Sequence, residues 1–287
     1  MSAWVKLLRP HQWVKSGFVF VGLLFGHGWN DGALVAQVLL AAGAFSLAAS
    51  AVYVGNDLID RENDRQHPEK CRRPLASGAI GVSSALFLGL ACLLVAVGLA
   101  WMASPAVLGV VVAYLLLNVG YTLGLKHVVV LDVFIISAGF MLRILAGTVG
   151  VGIAPSNWLL LCGLMVTLFL GFAKRRAELK ALDDDAASHR RVLEDYDPVL
   201  LDKLIGVCAA ATIVSYSLYT VSPETVLMHG TDRLVATVPF VVYGMFRYLF
   251  LLHRRAGGGD PAAQLLTDRH LLGACFGWLA TTLLILA

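Results

Sequence analysis

Nine nearly unbroken apolar stretches, most of them about as long as a bilayer is thick, decide what this chain can fold into. They fall at 16–29, 33–55, 79–102, 105–123, 128–149, 156–173, 202–221, 234–253 and 270–287. A helix needs ~20 residues to cross the hydrocarbon core, and in lipid only helices and closed barrels satisfy every backbone N–H and C=O. The first stretch is short and ends in FGHGWNDG, whose glycines and asparagine favour a turn. Charged residues make up 14% of the chain, against about 25% in an ordinary soluble domain. The pattern predicts an all-α polytopic membrane protein, a bundle of about nine transmembrane helices forming a single domain over 1–287, with no separate soluble domain.

Where the charges lie is more informative than their net value of +3. With the N-terminus on the cytoplasmic side, all but three of the 22 lysines and arginines fall on that side. Arg143 and Arg247 lie within spans, and Arg233 stands in an outer loop. The positive-inside rule therefore orients the chain in a bacterial inner (plasma) membrane with its long polar loops, and any chemistry, facing the cytoplasm. The opening MSAWVKLLRPHQWVKSG is basic, amphipathic and tryptophan-bearing, and reads as an interfacial segment rather than a cleaved signal. Of the five cysteines, Cys92, Cys162, Cys208 and Cys275 sit in apolar spans and Cys71 in a loop. None forms a CxxC, so all are expected to be small hydrophobes rather than a disulfide frame or zinc site. No nucleic-acid partner is expected, and a homo-oligomer is compatible with such a chain.

One loop breaks the apolar pattern sharply: NDLIDRENDRQHPEKCRRPLASG, residues 56–78. Asn56, Asp60 and Asp64 are spaced i, i+4, i+8, and Asp57 joins Asp60 and Asp64 at i+3 and i+7. If the second span continues as helix beyond the membrane, these oxygens line one face. Such a face suits Mg²⁺, which takes one or two protein carboxylates when phosphate oxygens supply the rest. A plain cytoplasmic loop needs bases, not acids beside them. The bases that follow, His67, Lys70, Arg72 and Arg73, are of the kind that holds phosphate left uncovered by a metal.

This run resembles the first Asp-rich motif of the UbiA superfamily of intramembrane prenyltransferases, N-D-x-x-D-x-x-x-D followed by R-P-x-x-x-G, here RPLASG. The resemblance extends along nearly the whole chain, with a Y…LK signature after the fourth helix and a charged loop after the sixth. It implies that Asn56, Asp60 and Asp64, with Asp57, bind Mg²⁺-diphosphate. The superfamily's second acidic motif, D-x-x-x-D, is altered. In GFAKRRAELKALDDD its place is taken by Lys174, Arg175, Arg176 and Glu178, and Asp183, Asp184 and Asp185 follow later as a run of like charge. A site that exchanges metal ligands for cations should take a substrate with more phosphate and less metal.

RPHQWVK supplies Arg9, His11, Gln12 and Lys15 where the first helix enters the bilayer, and YTLGLKHVVVLD adds Tyr121, Lys126, His127 and Asp132. Together with LR…AG at Arg143 and KRxAEL at Lys174, these resemble the polyprenyl-phosphate (decaprenyl-phosphate) phosphoribosyltransferase branch. That resemblance implies transfer of 5-phosphoribosyl from phosphoribosyl diphosphate (PRPP) to a polyprenyl phosphate. The product, polyprenyl-phosphate 5-phosphoribose, would lead toward arabinofuranose donors for the cell envelope. Asp60, Asp64 and Lys174 are the expected catalytic residues. Lys15, Lys126, Arg143, Lys174 and Arg175 are expected to divide between the two phosphates, and Glu178 to meet a ribose hydroxyl or the metal. Arg143, in mid-membrane, needs either a polar cavity or an ion-pair partner. Asp132 lies about 16 Å away along a straight helix and cannot pair with it directly. Two other readings stand beside this one: a UbiA-type prenyltransferase acting on an aromatic acceptor, which predicts the missing acidic pair, and a transporter for organic anions, which predicts charges gathered at the midplane.

Overall fold

The computed structural model describes residues 2–67, 70–182, 193, 195–254 and 267–286. Among them the regular structure is entirely helical. Helix α1 (Ala3–Leu8) is followed by a 3₁₀ segment, Pro10–Phe20, that runs into the short α2 (Val21–Phe25). Then come α3 (Gly32–Ile59), α4 (Arg61–Gln66), α5 (Val82–Ala103), α6 (Pro105–Leu123), α7 (Leu131–Ala146) and α8 (Asn157–Leu182). Helices α9 (Pro198–Val221), α10 (Pro223–His229), α11 (Val238–Arg254) and α12 (Arg269–Leu286) complete the order. Eight helical stretches among the described residues, built on α3, α5, α6, α7, α8, α9, α11 and α12, are long and apolar enough to cross a membrane. The stretch placed at 16–29 is not among them, because it is divided between the 3₁₀ segment, α2 and a turn. Runs of 3₁₀ geometry longer than three or four residues are uncommon.

Helix starts follow local chemistry. Asp31 accepts from the Ala33 and Leu34 N–H groups at the head of α3. Ser104, Asp197 and Ser222 cap α6, α9 and α10 with proline at the first helical position, where a missing N–H costs nothing.

The chain forms two compact units, 1–126 with 139–155, and 127–138 with 156–287, so α7 contributes to both. In the first unit α3 packs along α5 through small side chains: Ala41, Ala44 and Ala48 are buried on one, Ala96, Ala100 and Ala103 on the other. Lipid tails are as apolar as leucine, so helices associate there through close approach rather than hydrophobic exclusion. The tightest approach is between backbones. A Cβ at Gly147 would lie 1.7 Å from the Val19 carbonyl oxygen, and one at Gly22 would lie 2.1 Å from that of Gly147. Leu86, Phe87, Leu90, Leu94 and Trp101 of α5, with Leu116 and Leu123 of α6, are exposed, a face suited to lipid and to no aqueous surface.

The second unit packs Phe169, Phe172, Leu201, Ile205 and Leu251 into its core, with Phe169 meeting Tyr248 edge-on at 5.2 Å. Asp268 caps α12 through the His270 and Leu271 N–H groups and pairs with Arg247 at 2.8 Å. That guanidinium, with the capping N–H groups, lowers the Asp268 carboxyl to about 2. All five cysteines are free thiols. Cys92 and Cys208 are buried, whereas Cys275 is exposed on α12.

Candidate functional site

In the first unit, α3 ends at Ile59 and Asp60 adopts φ −86°, ψ 3°. The Asp60 N–H still bonds Asn56 O at 2.9 Å and the Asp64 N–H bonds Asp60 O at 2.8 Å, so helical phase is carried into α4. Asp57 and Asp64, seven residues apart, are consequently on one side, and both are buried. Arg73 joins them: its Nη1 donates to Asp57 at 3.1 Å and to Asp64 at 2.7 Å. The RPLASG segment is folded back over α4 by Arg61 and Arg65, whose Nε groups donate to the carbonyls of Leu75 and Ala76. It turns at Gly78, whose φ of 77° favours glycine.

A second arginine reaches the same cluster. Arg9 donates to Asp57 at 2.6 Å and lies over the Tyr53 ring, 5.0 Å from its centroid. Arg9 has φ 51°, the left-handed region that a non-glycine residue enters only when held there. Trp13 donates to Ser50, which donates to the Leu8 carbonyl, tying this N-terminal stretch to α3.

Of the four expected metal ligands, Asp57 and Asp64 share the guanidinium of Arg73, while the Asn56 oxygen accepts from Thr122 of α6 at 3.0 Å. Asp60, half-buried, has no side-chain partner among the described residues. Nor are any three His, Cys, Asp or Glu side chains among the described residues grouped as a self-sufficient metal site. The donors fit a Mg²⁺ ion that brings phosphate oxygens and water with it and takes one or two carboxylates.

The other expected residues of this unit are scattered more widely. His67 accepts from the Lys70 N–H at 3.3 Å, and Arg72 is exposed. Gln12 and Lys15 are half-buried on the 3₁₀ segment, and Tyr121 and Lys126 are half-buried at the end of α6 and just after it. Arg143 makes no ion pair among the described residues. It is buried, donates to Gly139 O at 2.8 Å and to the Tyr114 hydroxyl at 3.2 Å, and is ringed by Tyr114, Phe45 and Phe140 at 4.8–5.6 Å. Its Nε is buried with no partner. The partner that replaces an acid is a set of π faces, each worth ~2 kcal/mol or more when desolvated.

In the second unit, Asp132 and Arg175, both expected to touch substrate, are wholly buried and pair with each other at 2.7 Å. The physical reason is the cost of burying either charge alone. Arg175 Nη1 also donates to Glu178, one helical turn on. The second Asp132 oxygen accepts from the Tyr196 hydroxyl at 2.7 Å, and that hydroxyl accepts from the Val130 N–H at 2.7 Å. Val130 has φ 69°, a strained value for a β-branched residue. Burial, reinforced by the bond to Asp132, holds the Tyr196 phenol well above its ordinary value, so it remains a donor. Arg176 pairs with Asp202 at 2.9 Å, leaving Lys174 half-buried on α8; His127 is exposed. Asp183, Asp184 and Asp185 lie outside the described residues.

Three residues of these clusters carried no sequence signal of their own role. Arg9 stood only as one base of an N-terminal motif, and nothing in the sequence singled out Thr122 or Tyr196.

Comparison with known proteins places these features. The chain is 34% identical to the decaprenyl-phosphate phosphoribosyltransferase of Corynebacterium glutamicum over 96% of its length and 83% of that protein. It is 33% identical to the protein of that name from Mycobacterium tuberculosis, over 96% and 92% of the two chains. In fold it is similar to a UbiA homolog from Archaeoglobus fulgidus bound to GPP and Mg²⁺, with a TM-score of 0.73, 17% identity and 99% of both chains covered. The sequence model of the UbiA prenyltransferase family matches residues 16–283, which takes in most of both units and, apart from Arg9, both clusters. An integral membrane protein with this helical order and this acidic, arginine-bridged helix end belongs to the UbiA prenyltransferase family.

Proposed function

We propose that this chain is a polyprenyl-phosphate phosphoribosyltransferase, moving 5-phosphoribosyl from PRPP to a membrane-borne polyprenyl phosphate with release of diphosphate. The observation that carries the reading is the 33–34% identity to decaprenyl-phosphate phosphoribosyltransferases over nearly the full chain. The residues agree with it. Where the superfamily's second acidic pair would stand, α8 presents Lys174 and an Arg175–Glu178 pair.

In the reaction the bond from ribose C1 to the diphosphate oxygen breaks, and one forms from C1 to an oxygen of the lipid phosphate. The nucleophile is anionic near neutral pH, so no general base is required. Bound Mg²⁺ would neutralise charge on the departing diphosphate. Asp57, Asp60 and Asp64, with Asn56 nearby, are the residues proposed to hold it. Arg73 and Arg9, already at these carboxylates, are placed to meet phosphate oxygens once a metal takes the acids. Lys70, Arg72 and His67 flank the same loop and are proposed for the rest of the diphosphate charge. Lys174 is proposed as a phosphate ligand and Glu178 as the partner of a ribose hydroxyl. Gln12, Lys15, Tyr121, Lys126, His127 and Arg143 remain proposed contacts for the phosphates and lipid. Asp132 and Arg175 act behind the surface rather than on it.

The positive-inside distribution supports a cytoplasmic position for the charged segments that follow α3 and α8. The test is mass spectrometry of the lipid fraction after incubating solubilised protein with PRPP, Mg²⁺ and polyprenyl phosphates of several lengths. The expected result is a lipid heavier by one phosphoribosyl group, with diphosphate released. Diphosphate release only from a prenyl diphosphate with a phenolic acid would overturn the reading in favour of prenyl transfer.

A further inference from the structure

Within the second unit one hydrogen-bonded chain runs from the strained turn before α7 to the polar side of α8. It begins at the Val130 N–H, passes through the Tyr196 hydroxyl to Asp132, then through the Arg175 guanidinium to Glu178. Between its half-buried ends, Val130 and Glu178, the chain is buried. Tyr196 is 4% exposed, Asp132 and Arg175 are 0% exposed, and the Glu178 side chain is 28% exposed. Asp132 uses one oxygen for Arg175 and the other for Tyr196, so it cannot shift toward either without losing the second. Arg175 holds Asp132 through Nε and Glu178 through Nη1, and a planar guanidinium fixes the direction between those two partners.

We propose that Tyr196 is a positioning residue, acting through Asp132 and Arg175 to fix the Glu178 carboxylate for a hydroxyl-bearing sugar donor. This rests on the phosphoribosyl reading above. Several features argue for positioning rather than simple packing. The Tyr196 hydroxyl both donates and accepts, which no apolar side chain could replace. The accepted bond comes from Val130 at φ 69°, so the same hydroxyl also holds a backbone conformation that a valine would otherwise leave. The chain ends on an acid at the boundary of the buried region, one turn from Lys174. A rotamer pinned from behind orients such a ligand within a fraction of an ångström, which weak solvent-side contacts do not achieve.

The experiment is a double-mutant cycle on the full-length protein with Tyr196→Phe and Glu178→Gln, measuring KM for PRPP, KM for polyprenyl phosphate, and kcat. Tyr196→Phe should raise the KM for PRPP about five- to twentyfold, consistent with loss of one or two hydrogen bonds, and leave that for the lipid within about twofold. In the Glu178→Gln background the same substitution should have no further effect, because the carboxylate it orients is gone. Equal effects of Tyr196→Phe in both backgrounds, or a lowered kcat with both KM values unchanged, would mean that Tyr196 only packs, and would overturn the proposal. Should Tyr196→Phe fail to fold, Glu178→Asp takes its place: it keeps the charge but withdraws the carboxylate, and an unchanged KM for PRPP would equally overturn the proposal. A wild-type protein that turns over only prenyl diphosphates would overturn the reading and the sugar role together, whereas an active phosphoribosyltransferase with an additive cycle overturns the positioning chain alone.

Discussion

Arg73→Ala tests whether the acidic helix end is a metal site held shut by a guanidinium. Arg73 Nη1 serves both Asp57 and Asp64, and those two carboxylates are 3% and 7% exposed. Charge-assisted hydrogen bonds contribute roughly 1.5–3 kcal/mol each, but Arg73 is 31% exposed, which moves both bonds toward or below the bottom of that range through solvent screening. Asp57 also retains Arg9. The expected loss without metal is therefore about 2 kcal/mol, most of it from Asp64, which is left without a charged partner among the described residues. Thermal unfolding of the solubilised protein should show the variant melting below wild type in chelator. Adding millimolar Mg²⁺ should recover more of the melting temperature in the variant than in wild type, because in wild type the ion must first displace an arginine from the same oxygens. Transfer should nonetheless fall in the variant, since a phosphate ligand has been lost. Equal melting temperatures in chelator, or a variant as indifferent to Mg²⁺ as it is to Na⁺, would refute the idea that guanidinium and metal compete for one pair of acids.

Asp60→Asn and Asp64→Asn should each abolish transfer while the protein still elutes as a folded species in detergent; normal turnover in either would remove the metal role. Lys174→Ala should raise the KM for PRPP or for the lipid phosphate at least tenfold, read by initial-rate kinetics. Gly147→Ala places a methyl group 1.7 Å from a carbonyl oxygen of a neighbouring backbone, so the first unit should lose about 3 kcal/mol or more of stability, since backbone cannot yield as a side chain does. The Asp268–Arg247 pair should act as an acid-labile clasp. The folded carboxyl sits at about 2, below the ordinary aspartate range, so its stabilisation is complete above about pH 4–5 and disappears as pH falls through about 2. Asp268→Asn should flatten that part of the acid-unfolding profile.

The spans and their caps were readable in the chain because they depend on neighbours in sequence: Ser104–Pro105 and Asp197–Pro198 announce α6 and α9 with no help from elsewhere. The acidic loop was readable as a cluster for the same reason. Its internal arrangement was not. Which acids share a cation depended on Arg9 arriving from 48 positions away and on RPLASG folding back over α4. Asp132 and Arg175 read equally as ligands in sequence, because their 43-residue separation closes into a buried pair only in the fold. The segment at 16–29 had the composition of a span, but composition does not reveal 3₁₀ winding or a glycine contact such as Gly22 against Gly147.

The aromatic enclosure of Arg143 bears on how the chain is made. A guanidinium entering hydrocarbon unaccompanied costs ~2.5–3.5 kcal/mol even on insertion scales, and this one meets no acid among the described residues. Phe45 and Tyr114 belong to helices synthesised before α7, and Phe140 lies on α7 itself. Translation thus delivers the rings ahead of the cation they shelter, and a circular permutation that began the chain at α7 would send that charge into the bilayer with a single phenyl group for company.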